Sequence, residues 1–375
     1  MKLLLDHFAA IEDDRDSWRV AHPLPEVLLL LVCGTIAAGD DFEDIADWGE
    51  DNLAFLRRFL PYHHGLPTAR WLRILVNRLD PELFAACFRA WVKEAFPDAP
   101  ALIAFDGKTS RGTHHRSCGR EALHLVSAFA TRERLVLGQE AVGEAGGEQE
   151  TILALLAKLA AAGSLQGAIV TVDAIACNPK IAAAIVDGGA DYLLAVKANQ
   201  PGLMGEIERF LEDPQTRCTR FQAADKGHGR VEERSLAVST EVDWLMGERR
   251  FPGEYRLPRI AAVVMAETVI HQQDKTSSQR RFFVASRALT AEQAANAIRG
   301  HWAIENSLHW VLDVVFNEDK ARPHTGHGPA NMAVLRHFAF NLLRSLDDKR
   351  SLKLRRKRAA RNPQYLLQIL QPAPH

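Results

Sequence analysis

Cysteine is sparse in this chain of 375 residues: five thiols, at positions 33, 87, 118, 177 and 218, with no Cys-x-x-Cys pair among them. An odd, scattered set argues for reduced thiols and against both a disulfide framework and a zinc ribbon. Long apolar runs are missing too. The longest, Val27 to Ala38, is too short to span a bilayer and follows Pro23 and Pro25, so it reads as a buried helix. The leucines after Met1-Lys2 stop at Asp6 and His7 before a signal-peptide apolar region forms, and the expectation is a cytoplasmic protein with no membrane partner. No Gly-x-Ser-x-Gly elbow supports serine hydrolase chemistry. Gly107-Lys108-Thr109 has Leu102 where a phosphate loop requires glycine, and no helix follows it. His114-His115 and Cys118 lack a second ligand pair at zinc spacing. A basic excess is also absent: 46 Lys and Arg stand against 47 Asp and Glu, so any grip on phosphate must rest on local patches.

What is present is the balance of a soluble globular protein, 47% hydrophobic and 25% charged, with length for two or three domains. The first hundred residues carry helical spacing through Val27–Ala37, Ile45–Phe59 and Leu72–Leu79, and Asp80-Pro81 starts another helix from Glu82 to Phe96. We expect an all-α module over 1–98. From residue 101 short apolar runs replace that period: Ala101–Phe105, Leu123–Ala130, Leu135–Val142, Ile169–Val172 and Tyr192–Val196, with helical stretches Glu150–Ala162 and Pro179–Val186 between the later ones. Three close strands followed by alternating helix and strand are the order of a ribonuclease H-like α/β core, expected over 99–345. Residues 200–290 interrupt it with β-prone segments (Ser235–Thr240, Arg259–Val269, Arg281–Ser286), read as a β-rich insertion. A long helix is expected from Ala291 to about Phe316, with Thr290 and Gln293 as a capping box. Residues 346–375 read as a basic polar tail carrying Lys353-Leu354-Arg355-Arg356-Lys357-Arg358.

Asp106 follows the apolar run Ala101–Phe105 and precedes Gly107, which permits close approach; Asp173 repeats the arrangement after Ile169–Val172. An Asp at a strand end, taken alone, is more often a turn residue. The first and fourth strands of a ribonuclease H-like sheet are neighbours, however, so these two carboxylates would lie side by side. Paired carboxylates repel unless a cation sits between them, and hard oxygen ligands with open positions suit Mg²⁺ or Mn²⁺. Two such ions, roughly 3.5–4 Å apart, activate an attacking oxygen on one side of a phosphorus and stabilise the leaving oxygen on the other.

A third carboxylate should come from the long helix. Glu305 is preferred, with Trp302 and Ile304 expected to bury and anchor its turn; Asp313, two turns on, is the alternative. Lys108 could neutralise a phosphate, and Gly227-His228-Gly229-Arg230, followed by Arg234, is a cationic loop able to do the same through His228 and Arg230. A surface lysine with no such role is the commoner outcome for Lys108, and an ordinary hairpin turn fits the loop equally well.

Several segments in order resemble the insertion-sequence DDE transposases, in the group that includes the H-repeat-associated proteins. They are Leu79-Asp80-Pro81-Glu82-Leu83-Phe84, Asp106-Gly107-Lys108, His124 to Phe129, Val172-Asp173-Ala174, Gly189 to Gln200, and His301 to Trp310 running on to Asp319. The resemblance covers nearly the whole chain. It implies Mg²⁺-dependent cleavage and strand transfer on double-stranded DNA carrying the element's terminal inverted repeats, joining to target DNA, and action as a homodimer. Asp106, Asp173 and Glu305 would be the carried-over acids, and His301 a group variant contacting a phosphate. Gly146-Gly147-Glu148-Gln149-Glu150 departs from the Lys-Ser-Asn-Glu-like segment expected before the first core helix. The other reading is an inactive or domesticated relic, a DNA-binding protein or plain nuclease.

Overall fold

The computed structural model describes residues 1–114, 121–143, 146–173, 176–197, 200–227, 230–245, 256–272, 275–321 and 325–371. Helices form first where the sequence supplies caps. After α1 (Lys2–Ala9), α2 (Leu24–Ile36) starts at Pro23 and Pro25 and is apolar on every side, so it buries along almost its whole length. Asp41, Thr68 and Asp80 accept the first free N–H groups of α3 (Phe42–Leu56), α4 (Ala69–Arg78) and α5 (Pro81–Ala95).

The sheet follows with β1 (Leu102–Ser110), β2 (Leu123–Ala130), β3 (Leu135–Ala141), α6 (Glu148–Ala161), β4 (Ile169–Val172), α7 (Pro179–Asp187) and β5 (Asp191–Val196). β1 pairs antiparallel with β2 and parallel with β4; β4 pairs parallel with β5. With the order β3-β2-β1-β4-β5, this is a ribonuclease H-like core. The segment after β5 holds α8 (Pro201–Glu212), β6 (Thr219–Gly227), β7 (Arg230–Ser239), β8 (Ala262–Gln272) and β9 (Lys275–Ala285). It extends the same sheet, because β9 pairs antiparallel with β5, giving nine strands in the order β3-β2-β1-β4-β5-β9-β8-β7-β6. The β-prone segments read from the sequence fall in β7, β8 and β9. β6 escaped that reading because its edge position leaves both faces largely in water, and its residues carry no apolar alternation.

The expected long helix is interrupted: α9 (Ala291–His301), a π-helical turn over Glu305–His309, and α10 (Trp310–Val314). Thr290 and Gln293 do form the capping box. Gly300 lets α9 lie against β1, since a Cβ there would run into the Leu102 side chain. Gly300→Ala should therefore cost about 1–3 kcal/mol; a melting temperature equal to the parent's would show that α9 has room to shift.

α11 (Gly328–Ser345) packs against α2, α4, α5 and β3. Phe338 sits among the rings of Phe8, Phe84, Phe88 and Trp91, with centroids at 5.5, 5.7, 4.9 and 5.0 Å. Asn331 donates to the carbonyls of Val76 and Leu79, and Asn341 exchanges hydrogen bonds with the Val136 backbone. The front helices and the sheet thus share one hydrophobic core. The change near residue 98 is one of secondary structure, not of core.

The polar tail is corrected: α12 (Leu352–Arg361) and α13 (Pro363–Leu370) pack on α11. Within the basic run Lys353, Lys357 and Arg358 are exposed, but Arg355 and Arg356 are buried. Arg355 donates to the Leu343 and Asp348 carbonyls, and Arg356 to those of Thr35 and Val315 and to Asp40 at 2.9 Å. Three of those carbonyls, at Thr35, Leu343 and Val315, lie at the C-terminal ends of α2, α11 and α10, where the helix leaves them unpaired. The sequence reading leaves these arginines to DNA contact or to solvent, because charge alone does not reveal a buried acceptor. Among the described residues, no helix is long and apolar enough to cross a membrane.

Candidate active site

The parallel ladder between β1 and β4 ends at the rung Phe105↔Val172. Asp106 and Asp173 are the next residues on each strand. Asp106 does not end its strand as expected from the sequence: β1 continues to Ser110, paired on its other side with β2 through Asp106↔Ser127. β4 stops, and that leaves an open corner beside Asp106.

The π-helical turn fills part of the corner. Asp106, Glu305 and His309 each bring a ligand atom within 4.8 Å of the others. His309 Nδ1 lies 3.5 Å from Asp106 Oδ2 and 3.5 Å from Glu305 Oε2. A π turn widens the helix by one residue, and such turns recur at functional sites. Here it stacks Glu305 and His309 on the face toward β1. Burial, then the neighbouring Glu305 charge, pushes the Asp106 carboxyl up to about 7. Burial holds His309 below the ordinary imidazole range despite the Glu305 charge, so it stands neutral near neutral pH.

Asp173 is not in that group of three. Its Oδ1 receives Lys197 Nζ at 3.2 Å, from the residue that follows β5. His301 is largely buried, with Nδ1 3.0 Å from the Thr171 hydroxyl, and burial lowers its pKa although the Asp173 and Glu305 charges oppose this. It is turned toward β4 rather than toward solvent. Lys108 is committed inside the protein, 2.6 Å from Glu318 and 2.7 Å from Asp313. Its charge is thereby balanced by acids, not offered to a phosphate, and Asp313 is drawn to Lys108 rather than to Asp106. Ile304 buries as expected, but Trp302 is half exposed, with the Arg281 guanidinium 5.8 Å over its ring. Arg230 opens β7 in register with Gly227, while His228 lies outside the described residues. Arg234 is paired with Asp225 at 3.0 Å and Glu232 at 2.8 Å.

Sequence reasoning assigned no role to His309 or Lys197. His309 was within reach, since residues four apart on a helix share a face and Glu305 had been singled out. Lys197 gave no such signal, because only the pairing of β4 with β5 brings it to Asp173.

The donors fit a hard divalent cation. Two carboxylates dominate the group, and Asp106 is held in a place where its charge is costly without a positive partner. Among the described residues, the buried His309 Nε2 has no hydrogen-bond partner.

Residues 97–342 match the family model described as Transposase DDE domain, and residues 5–92 match the one described as DDE_Tnp_1-associated. The chain is 36% identical over 380 residues to the "H repeat-associated putative transposase YhhI" of Escherichia coli (strain K12), covering 99% of this chain and 98% of that one. It is 32% identical over 377 residues to the "Putative transposase YncI" of Escherichia coli O157:H7, covering 98% and 94%. Among solved structures, the cryo-EM structure of the piggyBac transposase synaptic complex with hairpin DNA overlaps it with a TM-score of 0.42 at 10% identity, covering 100% of this chain and 78% of that one. That overlap is too slight to bear on the site. More than half of this chain matches the one family model and its relatives match end to end, so it belongs to the DDE-domain transposase family.

Proposed function

We propose that this protein cleaves and joins DNA strands at the ends of an insertion element, with Asp106, Asp173 and Glu305 as its acidic triad. The carrying observation is the convergence of Asp106, at the end of the β1–β4 ladder, with Glu305 and His309 on the π turn. Mg²⁺ or Mn²⁺ bound by these acids would supply activation of an attacking water or 3′-hydroxyl and stabilisation of the leaving oxygen.

The chain's own residues set up the rest. Burial beside Glu305 makes Asp106 favour a bound cation or proton over a bare charge. Neutral His309 lies 3.5 Å from each of the two carboxylates. Lys197 orients Asp173 from the end of β5. The substrate in this reading is double-stranded DNA with terminal inverted repeats, the second partner is target DNA, and a homodimer would handle two ends together.

The test is cleavage and joining of labelled DNA carrying the flanking terminal repeats in Mg²⁺, comparing the parent with Asp173→Asn and Glu305→Gln. We expect both products from the parent and neither from the variants. A folded parent that is inert would favour a DNA-binding relic, and activity surviving in Glu305→Gln would remove that residue from the triad.

A further inference from the structure

Resting on that reading, we infer that Lys108 is a positioning residue: through Asp313 it sets the register, along β1, of the helix that carries Glu305 and His309, and so places them opposite Asp106. Alternate residues of a strand point to one face. Leu102, Asp106 and Lys108 therefore share a face of β1, and each meets the helical stretch between Gly300 and Asp313. The Leu102 side chain lies against Gly300, where a Cβ would come within 2.3 Å of it. Asp106 meets Glu305 and His309. Lys108 Nζ is 2.7 Å from Asp313 Oδ1. The contacts advance in the same order on both elements. From Leu102 to Lys108 the strand, and from Gly300 to Asp313 the helix, each cover about 20 Å. The two run side by side, held together at each end, with the acidic site between the two holds.

The π turn is what lets the far hold form. In an unbroken α-helix, about 100° per residue leaves Glu305 and Asp313 about 80° apart around the axis. The extra residue of the π turn takes back about 100° and brings them to within about 20°, onto one face. Asp313 then reaches Lys108 while Glu305 and His309 reach Asp106, and the Lys108–Asp313 pair in turn keeps the helix in that bulged register. Lys108 is itself fixed from the other side. Its Nζ is 2.6 Å from Glu318 Oε2, and the buried Glu318 faces Arg336 at 3.5 Å. The Arg111 N–H donates to Asp319 Oδ1 at 3.1 Å, tying the end of β1 to the turn after α10 a second time. Neutralising Glu318 does not by itself explain Lys108, because Arg336 already faces that carboxylate. It leaves the bond to a partly exposed acid on α10 without a reason, and helix register supplies one.

The experiment is a double-mutant cycle on the full chain: parent, Asp313→Asn, Lys108→Met and the double variant. Each is titrated with Mn²⁺, followed by electron paramagnetic resonance, and melted in chelator. Asparagine keeps the size of Asp313 and leaves the Lys108–Glu318 bond in place, so Asp313→Asn should melt within about 4 °C of the parent. It should nonetheless bind Mn²⁺ about 10–100-fold more weakly, a loss that a merely structural ion pair would not produce. In the Lys108→Met background Asp313→Asn should cost little more, because the two residues act as one unit. If Lys108→Met does not fold, Asp313→Asn alone decides. Mn²⁺ affinity equal to the parent's in Asp313→Asn overturns the register assignment and leaves the metal site standing. Losses that multiply in the double variant overturn it too, since Asp313 would then act on the metal directly. A parent that binds no Mn²⁺ overturns the metal reading, and the assignment with it.

Discussion

Asp106→Asn should abolish Mg²⁺-dependent cleavage while raising the melting temperature of the metal-free protein. The loss of activity, at least about 10³-fold, follows from removing the carboxylate on which the group of three converges. The gain in stability follows from the same burial. The Asp106 pKa rises from its ordinary 3.8 to about 7 in the folded protein, chiefly because burial opposes its charge. Between those values the folded state binds more protons than the unfolded one, so stability falls as pH rises through that window. At pH 8 the folded protein bears the full penalty, on the order of 4 kcal/mol at 1.36 kcal/mol per unit, and asparagine removes it. Below pH 4 parent and variant should melt alike. Mg²⁺ should stabilise the parent, by about 2.7 kcal/mol at a hundred times its Kd, and leave the variant nearly unmoved. Calorimetry at pH 8 in chelator checks the claim; a variant melting below the parent there would mean that Asp106 is held by structural partners and is not strained as a bare charge.

Glu318→Gln should be the most destabilising of the single changes considered, at about 3–5 kcal/mol. Glu318 is 2% exposed, 2.6 Å from Lys108 and 3.5 Å from Arg336, itself 3% exposed. Burial opposes the Glu318 charge, but Arg336 and Lys108 outweigh it and hold the carboxyl below the usual range. Neutralising it strands the buried Arg336 and leaves Lys108 to Asp313 alone at close range, 2.7 Å away. The melting temperature should fall by on the order of 10 °C. A depressed folded pKa contributes stability above the unfolded value that disappears as pH drops through the folded one. The difference between parent and variant should therefore shrink in acid. A fall of less than 1 kcal/mol at pH 7 would show that the network exchanges freely with water. Lys108 joins β1 to the turn after α10, so cleavage should weaken as well, through a misplaced Asp106.

The candidate site was legible in uneven degrees. Asp106 and Asp173 could be read because each ends an apolar run, and two such runs in ribonuclease H order place their ends together. Glu305 is preferred to Asp313 on the expectation that Trp302 and Ile304 anchor its turn, of which only Ile304 buries. The structure separates them by giving Asp313 to Lys108. Lys108 and His301 looked available for phosphate because a sequence shows charge and not its partner; each is engaged by a residue far along the chain, 210 positions for Lys108 and 130 for His301. The π turn was beyond reach, since over five residues the apolar spacing of an α-helix and a π-helix cannot be distinguished.

The sequence by itself determined the local elements: helix starts at Asp80 and Thr290, apolar runs for β1 to β5, and the order that makes a ribonuclease H-like core. These rest on hydrogen bonds and side-chain periods within a few residues, which a single chain displays directly. Only the tertiary structure decided that α11 joins the front helices and the sheet in one core, that Arg355 and Arg356 close helix ends, and that Glu305 and His309 converge on Asp106. Each of those contacts joins residues brought together by strand register and helix packing, and their energies come from burial and charge that exist only after the chain has folded.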